Sequence, residues 1–279
     1  MIRRLSIAVW LLSYLVVTSA LAKDKPKPYE KSFDLKVLGR SIGQVIVSFE
    51  DRIHPGKTTV DVTASLASPS GSVFPAGVSP YPLPLLPGIG IAVPGITLPV
   101  YITIKTAVGF RGPAKVGLHL EVLEYNPSIP LRLFVSDGTL GSLFKDITAY
   151  QGPGSMYTSG YRDAFSEFVI ALDGRSLADV INSKFGDVDS YLSTNGILID
   201  PDRYQDLHDR LQQAIQSYQQ DDVQGALSGL EQFISSVRSA IASNEMPATF
   251  NDPLNSDPNV AGGLIMRAET TVFSLGLLK

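Results

Sequence analysis

Up to Asp173 the apolar residues of this chain mostly alternate with polar ones, and after Gly174 they return every three or four positions. Neighbouring side chains of a strand point to opposite faces, whereas helical side chains share a face at i, i+3 and i+4. Two periods in separate blocks predict an α+β protein, strands first and helices after, rather than a parallel sheet with interleaved helices. Phe33, Leu35 and Val37 open the alternation, Val45, Val47 and Phe49 repeat it beyond the Gly39–Gly43 turn region, and Val60, Val62, Ala64 and Leu66 extend it. Further strands are predicted over Leu98–Thr106, Lys115–Glu124, Leu131–Val135, Phe144–Tyr150 and Phe165–Leu172. Punctuated by Gly and Pro, they predict an N-terminal antiparallel β-sandwich or barrel-like domain over residues 32–173.

Residues 174–279 predict a C-terminal α-helical hairpin or bundle. Leu177, Val180, Ile181 and Phe185 mark a short first helix that closes near Gly186. Asp200 is a good N-cap and Pro201 suits the first helical position, where no N–H is needed. The stripe Tyr204, Leu207, Leu211, Ala214, Ile215 and Tyr218 follows it. Asp221 or Asp222 opens the next helix, with Val223, Ala226, Leu227, Leu230, Phe233, Ile234, Val237 and Ile241 on one face. The very short connection makes these two an antiparallel pair. Asp257-Pro258 repeats the capping device before a last helix with Leu264, Ile265, Ala268, Val272, Phe273 and Leu275.

The first 22 residues predict a cleavable secretory signal peptide. Arg3 and Arg4 precede the apolar Ile7–Val17, and Ala20-Leu21-Ala22 ends the segment with small residues at Ala20 and Ala22. The apolar run is short for a membrane span and charges follow at once, so cleavage after Ala22 is favoured over an uncleaved anchor. Residues 23–31, with Pro26 and Pro28 among charges, predict a flexible tether. The expected location is therefore outside the cytoplasm, periplasmic or extracellular. The chain has no cysteine, which excludes a disulfide framework, a thiolate nucleophile and a cysteine-linked lipid. Asn126 is followed by Pro127, which blocks glycosylation. An exported chain of this size without disulfides points to a bacterial source. Its net charge of −4 and lack of a basic stripe argue against a nucleic-acid partner.

No short catalytic motif survives inspection. His54, His119 and His208 are far apart in sequence and make no local metal pair, and no Gly-x-Ser-x-Gly elbow occurs. Asp163, Glu167 and Asp173 lie in one strand-like segment and are the carboxylates from which a polysaccharide hydrolase would be built. A solvated strand face beside Arg162 explains them more simply. Two oxygen-rich loops keep calcium open as the one candidate cofactor: Asp200, Asp202, Asp206 and Asp209, and then Asn251, Asp252, Asn255, Asp257 and Asn259. Neither follows the EF-hand order, and ordinary turn and capping chemistry accounts for both.

The most unusual segment is Val62–Ile104, which carries no charged residue and concentrates Pro and Gly between Phe74 and Pro99. Its prolines exclude a membrane helix. It reads as a connection packed over the sandwich with Ile89–Val93 as a short strand, as an exposed loop for a protein partner or self-association, or as a membrane-surface contact. The candidate interaction loop is Leu83, Leu85, Leu86, Ile89, Ile91, Val93 and Ile96.

The run Leu207, Leu211, Ala214, Tyr218, Asp222, Ala226, Leu230, Phe233-Ile234 and Val237, with the later Ala261, Leu264 and Ala268, resembles the helical FIMAH-type module of exported bacterial proteins. Asn195-Gly196-Ile197 fits that module's opening turn, while the Pro/Asx-rich Pro247–Pro258 is longer than its counterpart. The segment 160–168, Gly-Tyr-Arg-Asp-Ala-Phe-Ser-Glu-Phe, together with Ala268 and Phe273-Ser274-Leu275, is similar to an uncharacterised family of bacterial secreted proteins. These resemblances imply a non-enzymatic module and supply no catalytic or binding residue. The sequence therefore predicts a non-catalytic exported protein with a binding or structural role. A carboxylate hydrolase and a membrane-surface protein are the alternatives.

Overall fold

The alternating block becomes two antiparallel sheets in the computed structural model, which describes residues 29–37, 39–53, 59–86, 96–123, 126, 129–152 and 156–279. In chain order the strands are β1 (Tyr29–Val37), β2 (Arg40–Arg52), β3 (Val60–Ser65), β4 (Val78–Pro80), β5 (Leu83–Leu86), β6 (Ile96–Leu98) and β7 (Tyr101–Thr106). They continue as β8 (Phe110–Leu120), β9 (Leu131–Ser136), β10 (Lys145–Asp146), β11 (Thr148–Gly152), β12 (Tyr157–Arg162), β13 (Glu167–Asp173) and the late β14 (Thr249–Phe250). The helices are α1 (Leu177–Asn195), α2 (Pro201–Gln219), α3 (Val223–Ser243) and α4 (Val260–Gly276), with a 3-10 turn at Gly196–Leu198.

One sheet runs β1-β2-β8-β12-β11, with β14 also on β8; the other runs β10-β9-β13-β7-β3, with β4 also on β13. Their inner faces share one core, to which Val45, Val47, Val116 and Leu118 come from the first sheet and Ile102, Ile104, Leu133, Phe168 and Ile170 from the second. This is the α+β fold with an antiparallel sandwich. Strand β13 is buried on both faces, because Val169 and Ala171 enter a second cluster with Phe74, Tyr101, Phe134 and Phe144. Its continuous apolar run follows from that double burial.

Several boundaries move. Tyr29–Lys31, expected in the tether, belong to β1, where Tyr29 pairs with Phe49 and their rings lie 5.5 Å apart. Pro99 falls between β6 and β7, so the strand expected over Leu98–Thr106 is split. The one expected over Phe144–Tyr150 divides into β10 and β11.

Helix α1 runs through Gly186 to Asn195 rather than stopping at the glycine. Val188 and Leu192 continue the buried stripe of Ile181 and Phe185, and packing of that face outweighs the roughly 1 kcal/mol helix penalty of one glycine. The pair α2 and α3 forms the expected hairpin, capped by Asp200 and Asp222. Their close approach depends on Gly229, where a Cβ would stand 2.9 Å from that of Ala214. Asn259, not Asp257, caps α4: its Oδ1 accepts the Gly262 N–H at 2.9 Å while its Nδ2 donates to Gly112 O at 2.7 Å. Helix α4 packs on β8, β12 and β11, and its Met266 joins the sandwich core. Among the described residues, no helix is long and apolar enough to cross a membrane.

Candidate functional site

The uncharged segment folds back on itself. Strands β5 and β6 pair antiparallel, Leu83 opposite Leu98 and Leu86 opposite Ile96, as a two-stranded sheet apart from the sandwich sheets. Its root is fixed, since Leu83 is 3% exposed in the sandwich core and the Tyr81 N–H donates to Ile170 O at 2.9 Å. Leu98 remains 36% exposed. Leu85 and Leu86 lie on β5 and Ile96 on β6, whereas Ile89, Ile91 and Val93 fall outside the described residues, as does the short strand expected there. Ala20 and Ala22, with the rest of the expected signal peptide, also fall outside them, and so does His54.

The three candidate carboxylates do not converge. Asp163 sits in the bend between β12 and β13, 3.7 Å from the Arg162 guanidinium, and is not on a strand. Glu167 and Asp173 occupy opposite ends of β13, six residues or roughly 20 Å apart along a strand. Asp173 is engaged by both arms of Arg175, at 2.8 and 2.7 Å. Glu167 is 2% exposed and accepts a hydrogen bond from Ser70 at 2.5 Å. Ser70 continues to Ser72 at 2.6 Å and Ser72 to Ser142 at 2.9 Å, a hydroxyl row with no histidine in it. The other Glu167 oxygen, Oε1, is sealed from solvent and has no hydrogen-bond partner among the described residues. Burial, reinforced by the Glu167 charge, pushes the nearby Tyr101 hydroxyl up from its ordinary value.

The remaining sequence candidates have structural duties. His119 is half-buried on β8, and His208 stacks on Tyr204 with ring centroids 6.2 Å apart. Asp200 caps α2, and Asp206 accepts from Arg210 at 2.8 Å. Asp252 and Asn255 accept the N–H groups of Leu254 and Asp257 in turns. No group of three or more His, Asp or Glu side chains able to hold a metal occurs among the described residues.

Two places join the sheets to the helices. At one, Lys184 of α1 is 8% exposed and its Nζ donates to Asp146 Oδ2 at 2.5 Å, Thr270 Oγ1 at 2.7 Å, Ser274 Oγ at 2.8 Å and Thr270 O at 3.1 Å. Burial pulls this ammonium below its ordinary range, and the Asp146 carboxylate opposes the pull. Beside the pair lies a cavity of about 180 Å³ walled by Phe134, Phe144, Val180 and Arg175. Arg267, close by, lies over the Tyr191 ring at 3.7 Å. At the other place, β14 pairs with β8 so that Thr249 faces Arg111, and a cavity of about 360 Å³ opens between Arg111, the end of α3 and the loop before α4. Leu198, Glu245, Met246, Asp252 and Asp257 are among its lining residues.

A family model described as "Family of unknown function (DUF6689)" matches residues 41–279. The chain belongs to this family. A comparison with curated proteins finds no match. The DUF6689 match takes in the β5–β6 hairpin, both cavities and all four helices.

Sequence reasoning passed over Lys184 and Arg111 of this DUF6689 chain and put Glu167 on a solvated strand face, whereas it is 2% exposed. Lys184 had a usable signal, because it falls on the helical face of Ile181, Phe185 and Val188, where a lysine must find partners. Glu167 had a similar one, as the first residue of an otherwise apolar run on β13. Arg111 had none, since an arginine near the start of a strand is unremarkable until the partner strand and loops are known.

Proposed function

We propose that this protein is exported by a bacterium and acts without catalysis, as a binding or structural component in the periplasm or at the cell surface, through the β5–β6 hairpin. The observation that carries the reading is the construction of the hairpin: a core-anchored root at Leu83 beneath a stretch in which Val62–Ile104 has no charge. An uncharged apolar stretch of this length suits an interaction site wherever it reaches the surface. The signal features around Arg3, Arg4, Ala20 and Ala22 support export, and the resemblance of the last three helices to a FIMAH-type module supports a role outside the cytoplasm. The scattered carboxylates Asp163, Glu167 and Asp173 count against a hydrolase.

The occupant we favour is a second copy of the chain or an apolar face of another protein. Sedimentation velocity of residues 23–279 over a range of concentrations tests it. Self-association is expected, and Ile89→Asp with Ile91→Asp is expected to abolish it while leaving the melting temperature unchanged. A wild-type chain that stays monomeric and also captures no protein dependent on those two residues would sink the reading. Co-sedimentation with phosphatidylcholine vesicles, lost in the same variant, would move the occupant from protein to membrane.

A further inference from the structure

Opposite charges that line one cavity and stay apart define a space suited to a molecule carrying both. In the cavity of about 360 Å³ the cation comes from β8: Arg111 is exposed, and no carboxylate among the described residues lies within 4.0 Å of it. The anions come from the loop before α4. Asp257 has no hydrogen bond or ion pair to its carboxylate among the described residues, and Asp252 spends only Oδ1, on the Leu254 N–H at 3.0 Å. The third carboxylate, Glu245, is already committed to Arg203 at 2.5 Å. That leaves one guanidinium and two carboxylates facing the same space, with Leu198 and the buried Met246 as an apolar wall.

The walls are held in place. The Gly112 N–H donates to Ala248 O at 2.7 Å beside the β8–β14 pairing, and α3 ends in a left-handed Asn244 whose cap returns the chain at Glu245. A guanidinium presents two parallel donors that match a carboxylate, and an ammonium presents three donors that suit a pair of carboxylates. The volume lies at the lower end of the range for small-molecule sites, and the position between packed units is a common one for them.

We propose that this cavity binds a free α-amino acid with an aliphatic side chain. Arg111 takes the α-carboxylate, Asp252 and Asp257 take the α-ammonium, and the side chain lies against Leu198 and Met246. The site is separate from the hairpin and does not depend on what the hairpin binds.

Calorimetric titration of the purified chain with L-leucine, L-leucine methyl ester and N-acetyl-L-leucine tests the assignment. L-leucine is expected to bind at least about tenfold more tightly than either blocked form, because each leaves one charged wall unmatched. Arg111→Ala should remove the preference over the methyl ester, and Asp252→Asn with Asp257→Asn the preference over the acetylated form, with circular dichroism and melting temperature unchanged. No heat from L-leucine at millimolar concentration, equal binding of all three compounds, or leucine affinity unaffected by Arg111→Ala would each overturn it.

Discussion

Lys184 and Arg111 are both cations where helices meet sheets, and the fold treats them oppositely. Lys184 is enclosed by four oxygens from β10 and α4, more acceptors than an ammonium has protons. Arg111 lines a larger space with no carboxylate within 4.0 Å among the described residues. The difference separates a polar group that holds a structure together from one that is left available. A buried charge tolerates no vacancy, because the desolvation of an unpaired ion costs several kcal/mol, whereas an exposed one can wait for a partner.

The sharpest way to break this contrast is at Lys184. Lys184→Ala leaves Asp146, itself 9% exposed, buried without its cation. Removing one partner of such a pair costs about 3–5 kcal/mol, which urea unfolding would read as a large drop in midpoint. A loss under about 1 kcal/mol would mean that water or Arg175 takes over and that the two joins are not so different.

The alkaline limb of stability sharpens the same side. Burial pushes the Tyr191 hydroxyl from 10.0 up to about 12. Its ring also sits so close to α4 that a Cβ on Gly263 would stand 2.3 Å from the hydroxyl oxygen. A tyrosine whose folded value is raised stays neutral in the folded chain while the unfolded chain ionises, so this stability is present below pH 10.0 and lost as the pH rises toward 12. The expected loss is on the order of 1–3 kcal/mol. In Tyr191→Phe the decline between those pH values should flatten, as followed by thermal melts in alkaline buffers; an unchanged slope would assign it to other groups.

The smallest effect is expected at the open join. Arg111→Ala should change unfolding free energy by no more than about 0.5 kcal/mol, as for exposed side chains, since Arg111 has no ion pair among the described residues. A loss comparable to that of Lys184→Ala would show that Arg111 is a structural pin after all.

The sequence was most legible where burial is apolar. Alternation located β2 and β3, and the helical stripe located α2 and α3. It failed at β12, where the buried side chains include Thr158, Ser159 and Arg162, and a polar interior leaves no hydrophobic period to read. It also failed at the end of α1, where Gly186 signalled a stop that the continuing stripe of Val188 and Leu192 overrode. The hairpin was legible only as an anomaly in charge. Its strand pairing of Leu83 with Leu98 crosses a proline-rich stretch in which periodicity carries little information.

Sequence by itself determined the kinds of element and their order, because strand and helix periods are written in neighbours two to four residues apart. Tertiary structure decided which charges are spent and which are free. Lys184 finds Asp146 38 residues away and Thr270 86 residues away, and Arg111 lines one cavity with Asp252 and Asp257 where β14 pairs with β8. Such partners are set by how sheets and helices pack in space, and no local pattern in the chain records them.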